Sequence, residues 1–211
     1  MRRRLDVDRP VDVELIRECV ACALQAPAGS NLPRTRFVVV RDAGKRAAIA
    51  AIYRQIYETV YRDSPGYIGR VSTASAARSA DALPARLAEV PAIVIACLSG
   101  ARIDGASGVV SAALLGGVMP AMWSFMLAAR ARGLGTCWTT MHLARERDVA
   151  ELLGIPYDRV QQVCLSPLAH TIGSDFRPAR REDPEDVVHW DTWDAAKPQP
   201  PGVDALLGSR V

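Results

Sequence analysis

Residues 107–132 form the longest apolar stretch of the chain, rich in Ala, Leu, Met and Gly and nearly free of charge until Arg130. A helix that is apolar all round cannot expose its whole circumference to water. It has to lie in the middle of something, either a core or a subunit interface. Gly116-Gly117 and Pro120 interrupt the run. Proline is tolerated in the first turn of a helix and disfavoured inside one, so the sequence predicts a loop or kink there, with the helix proper starting near Pro120. Gly133-Leu134-Gly135 ends it and leads into the β-prone run Thr136-Cys137-Trp138-Thr139-Thr140.

The remaining segments alternate between helical and strand patterns. Asp12 is placed to cap a helix in which Leu15, Ile16, Cys19, Val20, Ala23 and Leu24 recur at helical spacing, with Pro27 just beyond its end. The turn Ala26-Pro27-Ala28-Gly29-Ser30-Asn31 then leads to a strand, Arg36-Phe37-Val38-Val39-Val40. A helix that stops at a proline, a turn of small residues and a buried strand let backbone amides approach a ligand at the edge of a core. Asn31 either closes that turn or uses its donor and acceptor pair on such a ligand. Asp42 opens a helix through Ile49, Ile52, Ile56 and Val60 on which Tyr53, Tyr57 and Tyr61 recur every four residues, as half-buried packing or as the lining of a ligand site. Residues 62–83 lose all pattern and suit either a cover over a site or a variable surface loop. Val90 to Leu98 reads as a buried strand, followed after residue 132 by a short helix from Ala144 to Leu153, stopped by Gly154 and Pro156, and a strand from Val160 to Leu168. Four strands alternating with helices favour, on pattern alone, a parallel doubly wound sheet.

Composition narrows the functional classes. With 211 residues the chain can bury a core as one domain carrying a terminal extension. A net charge of +3, with basic residues scattered and no block of them, argues against nucleic acid or a membrane surface as partner. Met1 is followed by three arginines but by no apolar run of a signal peptide, and no uninterrupted apolar segment reaches the ~18 residues of a membrane span, so the expected location is cytoplasmic. Five widely spread cysteines suit reduced thiols. Cys19-Val20-Ala21-Cys22 lies within a helix and reads as core packing, and His142, His170 and His189 lack metal-ligand spacing and read as surface or partly buried residues. No metal is expected. Gly133-Leu134-Gly135 is not a dinucleotide fingerprint, because Trp138 stands where the third glycine belongs and the order is helix then strand. No P-loop and no nucleophile elbow occurs. Two arginine clusters remain: Arg2-Arg3-Arg4, and Arg177, Arg180 and Arg181 after the last strand. They are either solvated or converge on one phosphate. Residues 182–211 are polar and proline-rich yet hold Trp190 and Trp193, so this tail is expected to pack on another surface, with a second subunit as one possibility.

Several of these pieces occur in an order that resembles the flavin-dependent nitroreductase family. They are Ala26-Pro27 through Asn31 before the strand 36–40; Trp123-Ser124-Phe125-Met126-Leu127-Ala128-Ala129-Arg130 leading into Gly133-Leu134-Gly135-Thr136-Cys137-Trp138; Glu151-Leu152-Leu153-Gly154-Ile155-Pro156; and Val187-Val188-His189-Trp190. The resemblance implies an α+β fold, a three-layer α/β/α arrangement with a mainly antiparallel sheet, in place of the parallel sheet. It also implies a homodimer holding two FMN molecules at its interface. Residues 1–176 would be the FMN-binding domain and 177–211 an arm of it reaching the partner subunit, with the 120–132 helix as dimer core.

Carried over by position, Asn31 would bond the flavin's polar edge, and Thr139, Thr140 and Met141 would lie over the flavin with a backbone N–H near N5. Arg3 or Arg4 would face the pyrimidine oxygens or the phosphate, and Arg181, with Arg180, would hold the phosphate. The implied activity is ping-pong hydride transfer from NAD(P)H through FMN to a small electron-poor acceptor of nitroaromatic, quinone-like or conjugated type, needing no side-chain acid or base. The chain departs from the pattern at three places. Met1 falls inside the family's Arg-Ser-x-Arg run, so either the start lies upstream or the phosphate site is depleted. Ala28 and Pro33-Arg34-Thr35 replace the usual Ser and Gln-Pro-Trp, and Ser124 replaces a frequent Asn. These departures motivate an alternative, a non-catalytic homodimer that binds flavin or deazaflavin, and a third reading in which the flavin itself is the substrate.

Overall fold

The structure, a computed structural model, describes residues 4–29, 32–61, 81–173 and 181–200. The chain enters through a two-residue strand, β1 (Leu5–Asp6). The Asp12 carboxylate accepts the Glu14 N–H at 2.8 Å and starts α1 (Val13–Ala23), which buries Ile16, Cys19 and Ala23. Beyond the turn lies β2 (Thr35–Val40). Asp42 caps α2 (Ala43–Ile56) by accepting the Lys45 N–H at 2.8 Å, and a π-helical turn, Tyr57–Tyr61, continues it. A short helix α3 (81–86), β3 (Ala92–Ser99), α4 (Gly108–Ala131) and β4 (Leu134–Thr136) follow. A 3-10 turn (Met141–Arg145) then runs into α5 (Glu146–Leu153) and the long strand β5 (Val160–Thr171).

These strands make one sheet in the order β1-β5-β3-β2, with β4 also paired to β5, and every pairing is antiparallel. The parallel sheet favoured by alternation is therefore corrected, and the antiparallel one holds. Alternation identifies helices and strands, whereas strand direction depends on how often each connection crosses the sheet. The expected four strands become five among the described residues, because Leu5 and Asp6 pair with Thr171 and His170. The expected strand at 136–140 shortens and moves upstream to β4, leaving Thr139 as an isolated bridge to Leu165.

The central strand β3 is buried on both faces, and its side chains alternate between two cores. Val94, Ala96 and Leu98 meet α1 and α4 residues including Ile16, Cys19, Met122 and Phe125. Ile93, Ile95 and Cys97 meet Ile49, Ala50 and Tyr53 of α2, Leu87, and Val149 of α5. A helical layer therefore covers each face of the sheet. Cys19 fills the core as expected, whereas Cys22 is exposed.

The helix expected to begin near Pro120 instead runs unbroken from Gly108, with Ser107 accepting the Val110 N–H at 3.4 Å. Pro120 removes the donor that would reach the carbonyl of residue 116, and Gly116 is exposed, so water can take that carbonyl. Burial of Val118, Ala121, Met122, Phe125, Ala128 and Ala129 holds the helix through the defect. Its opposite face leaves Val109, Met119, Trp123 and Leu127 exposed. By length and composition the helix is also apolar enough to cross a membrane, a property that core helices share.

The described residues fall into two compact units, one ending at Ile172 and the other beginning at Gly173. Within the second unit α6 (Pro184–Val187) is capped by Asp183, the His189 and Trp193 rings stack at 4.1 Å, and Trp190 and Trp193 are exposed.

One buried ion pair ties the segment after β3 to the start of α5. Arg102 grips Glu146 through Nη2 at 2.8 Å and Nη1 at 3.2 Å and donates to the Tyr157 and Val160 carbonyls. Glu146 in turn accepts the Gln162 N–H at 2.8 Å. Removing the carboxylate takes away the two-pronged partner of a guanidinium that is only 13% exposed and leaves it the exposed Asp104 carboxylate, which also pairs with it. Because Asp104 keeps part of the pairing, Glu146→Ala is expected to cost about 2–3 kcal/mol in urea unfolding, and the double variant Arg102→Met/Glu146→Leu less.

Candidate functional site

Thr139 joins the sheet by two backbone hydrogen bonds to Leu165, donating at 2.9 Å and accepting at 2.8 Å. Its hydroxyl is fixed from the other side by the Tyr53 hydroxyl at 2.7 Å, across the core from α2. Tyr53 is 3% exposed. The tyrosine stripe is therefore packing at Tyr53 and Tyr57, and it also holds one of the expected site residues. Met141, half-buried, begins the 3-10 turn, and the Thr140 carbonyl accepts the Leu143 N–H at 2.9 Å. Thr140 itself is exposed, and among the described residues its backbone N–H has no hydrogen-bond partner. A ladder bond before it and a tight turn after it thus present one amide donor on a rigid frame.

The turn after α1 packs on the N-terminal half of α4. A methyl group added at Gly29 would lie 3.5 Å from the Ala113 carbonyl oxygen, and one at Gly117 would lie 3.9 Å from both the Ala28 Cα and the Pro27 oxygen. Thr35 donates its hydroxyl to the Gly117 carbonyl at 3.4 Å. The turn thus rests against Gly117 at ordinary van der Waals distance, while Gly116 faces open space.

The expected site residues are distributed unevenly. Thr139, Thr140 and Met141 are held together as described. Arg4 is exposed, and its carbonyl accepts the Ile172 N–H at 2.9 Å, beyond the end of β5. Leu165 and Ile172 are seven residues apart, so Arg4 stands about 23 Å along the strand direction from Thr139. Arg181 is exposed and belongs to the second unit. Arg3, Asn31 and Arg180 lie outside the described residues, as does most of the 62–83 stretch. Among the described residues no group of three or more His, Cys, Asp or Glu is placed to hold a metal ion.

His142 corrects an expectation. Read from sequence as surface or partly buried, it is 0% exposed, and neither ring nitrogen has a hydrogen-bond partner. Burial pushes its pKa down to about 4, so it is neutral at physiological pH and no proton donor. The only sequence signal was its place next to Met141, on the buried side of a turn. The unfolded chain titrates this imidazole near ~6.5 and the folded chain near 4, so the unfolded state binds the extra proton between them. Stability is expected to fall by about 3 kcal/mol as pH drops from roughly 6.5 to 4. His142→Leu should remove most of that slope in thermal or urea unfolding series.

The model described as "Nitroreductase family" matches residues 2–173. Solved structures similar to this chain include a BluB-like flavoprotein from Clostridium difficile 630, with TM-score 0.67, 16% identity, and coverage of 90% of this chain and 94% of that one. A second is an oxidized iodotyrosine deiodinase bound to FMN and 3-iodo-L-tyrosine, with TM-score 0.66, 19% identity, and coverage of 92% and 95%. A third is nitroreductase A from Vibrio parahaemolyticus RIMD 2210633, with TM-score 0.65, 19% identity, and coverage of 97% and 75%. At such identities the likeness is one of fold.

Proposed function

The chain belongs to the nitroreductase family, and on that premise we propose that it is an FMN-dependent oxidoreductase acting as a homodimer on small electron-poor acceptors, with NAD(P)H as donor. The observation that carries this reading is the exposed, unpartnered Thr140 N–H, immobilised between the Thr139–Leu165 bridge and the 3-10 turn. A fixed amide that needs a partner fits the polar face of a flavin, and it needs no rearrangement to donate. FMN, when bound, supplies hydride acceptance from NAD(P)H and hydride delivery from N5 to the acceptor, in a ping-pong sequence.

The chain's own residues bind and orient. Thr139, Thr140 and Met141 form the backbone platform, and the Tyr53 hydroxyl keeps Thr139 in register with it. Asn31 takes the flavin's polar edge, Arg3 or Arg4 its pyrimidine oxygens or phosphate, and Arg180 and Arg181 the phosphate. Guanidinium groups suit that last task because they bind phosphate in two-pronged fashion and stay charged. Neutral, enclosed His142 takes no part in proton transfer. The exposed apolar face of α4, with Val109, Met119, Trp123 and Leu127, supports a partner subunit there. Residues 177–211 would form the arm to that partner, presenting Trp190 and Trp193.

The purified protein is expected to be yellow, to release FMN on heating, and to bleach anaerobically with NADH or NADPH. Protein that takes up FMN yet is bleached by neither nucleotide would move the reading to the non-catalytic alternative favoured by Pro33-Arg34-Thr35. Failure to take up either FMN or a deazaflavin would end both. Tyr53→Phe should fold within about 1 kcal/mol of wild type and weaken FMN binding several-fold, read by flavin fluorescence quenching.

A further inference from the structure

Beside the 26–29 turn the structure has a cleft of about 170 Å³ between that turn and α4. Ala28, Gly29, Leu32, Ala113, Leu114 and Val118 give it apolar walls, and Arg34 is its charged lining residue. Thr35 also lines it, but its hydroxyl donates to Gly117. Sites for whole drug-sized ligands run to ~300–1,000 Å³, so this cleft admits one ring or a substituent of a larger molecule.

Arg34 is held in place there. Its carbonyl accepts the Ser99 N–H at 2.8 Å, fixing the backbone beside the end of β3. Gly100, at φ +80°, leaves the guanidinium room, since a methyl group at that position would stand 2.8 Å from Arg34 Nη1. The guanidinium's own bond to the protein, Nη1 to the Ser99 carbonyl, is long at 3.5 Å. Among the described residues no carboxylate pairs with Arg34, although the residue is half-buried. A cation with its fork of donors largely unspent, on a residue that lines an apolar cleft, suits a planar anion, which an Arg fork binds through two parallel bonds.

We propose that Arg34 is a specificity-determining residue that selects acceptors carrying a ring carboxylate. The turnover part of this inference rests on the function proposed above, whereas the binding part does not. The test compares 4-nitrobenzoate with 4-nitrobenzyl alcohol as acceptors, and 4-fluorobenzoate with 4-fluorobenzyl alcohol in ¹⁹F NMR titrations of the purified protein without nucleotide. Wild type should prefer the carboxylate in both assays, and its fluorobenzoate affinity should weaken as KCl is raised, while that for the alcohol does not. In Arg34→Ala the carboxylate-to-alcohol ratio should fall about ten- to hundredfold, with Arg34→Lys in between.

Equal affinity of wild type for the two fluorinated probes, or a preference that Arg34→Ala leaves intact, overturns the proposal. If Arg34→Ala does not fold, the wild-type salt dependence decides. Arg34-dependent carboxylate binding without nicotinamide turnover would sink the proposed oxidoreductase function and leave the anion site standing.

Discussion

The antiparallel ladder between β3 and β5 is the constraint on which the other features depend. Its registers, from Ala92 opposite Leu168 to Ser99 opposite Val160, commit alternate side chains of β3 to opposite cores. A slip of one residue would exchange Ile93 and Ile95 with Val94 and Ala96, putting large side chains where the layer against α1 and α4 has room for smaller ones. The irregularity between Ala96 and Cys97 is absorbed within the ladder. Because β5 is long, the same strand also carries β1, β4 and the Thr139 bridge. The candidate platform is thus attached to the most buried part of the molecule.

That attachment gives the site its character. Thr139 is tied to Leu165 by backbone bonds and to Tyr53 by a hydroxyl pair, so both the sheet and α2 position it. The residue after it is then free to present an amide to solvent without losing its place. Further along, Glu146 links the start of α5 to Arg102 and to Gln162 at the start of β5. The segment from 139 to 146 is therefore fixed at both ends, which is the rigidity a binding platform requires.

The helix α4 shows how one sequence feature can serve two ends. Gly116, Gly117 and Pro120 are poor helix residues, and local propensity reads them as a break. In the fold the apolar surface of the second half carries the helix past them, and the 26–29 turn rests against Gly117 at ordinary contact distance. The cleft next to Arg34 lies between that turn and α4. Arg34 follows that turn, and its guanidinium is seated beside Gly100.

The sequence by itself determined the local elements, since caps, periodicity and stop signals are encoded within a few residues of where they act. Asp12 and Asp42 cap their helices, Gly154 at φ 68° ends α5, and the apolar runs read at 36–40, 90–98 and 160–168 contain strands, the second starting at Ala92. The ordered motifs also carried the family. Strand direction, the fifth strand at Leu5 and Asp6, the continuity of α4, and the enclosure of His142 were decided only by the tertiary structure. Each depends on partners far away in the chain: β1 on the end of β5, α4 on both the sheet and α1, and His142 on the elements that pack around its turn. The same holds within the site. Thr139 to Met141 was legible as a segment, but the Tyr53 hydroxyl that fixes it and the Gly100 seat that fixes Arg34 arise from contacts 86 and roughly 65 residues apart, and no local pattern carries contacts of that range.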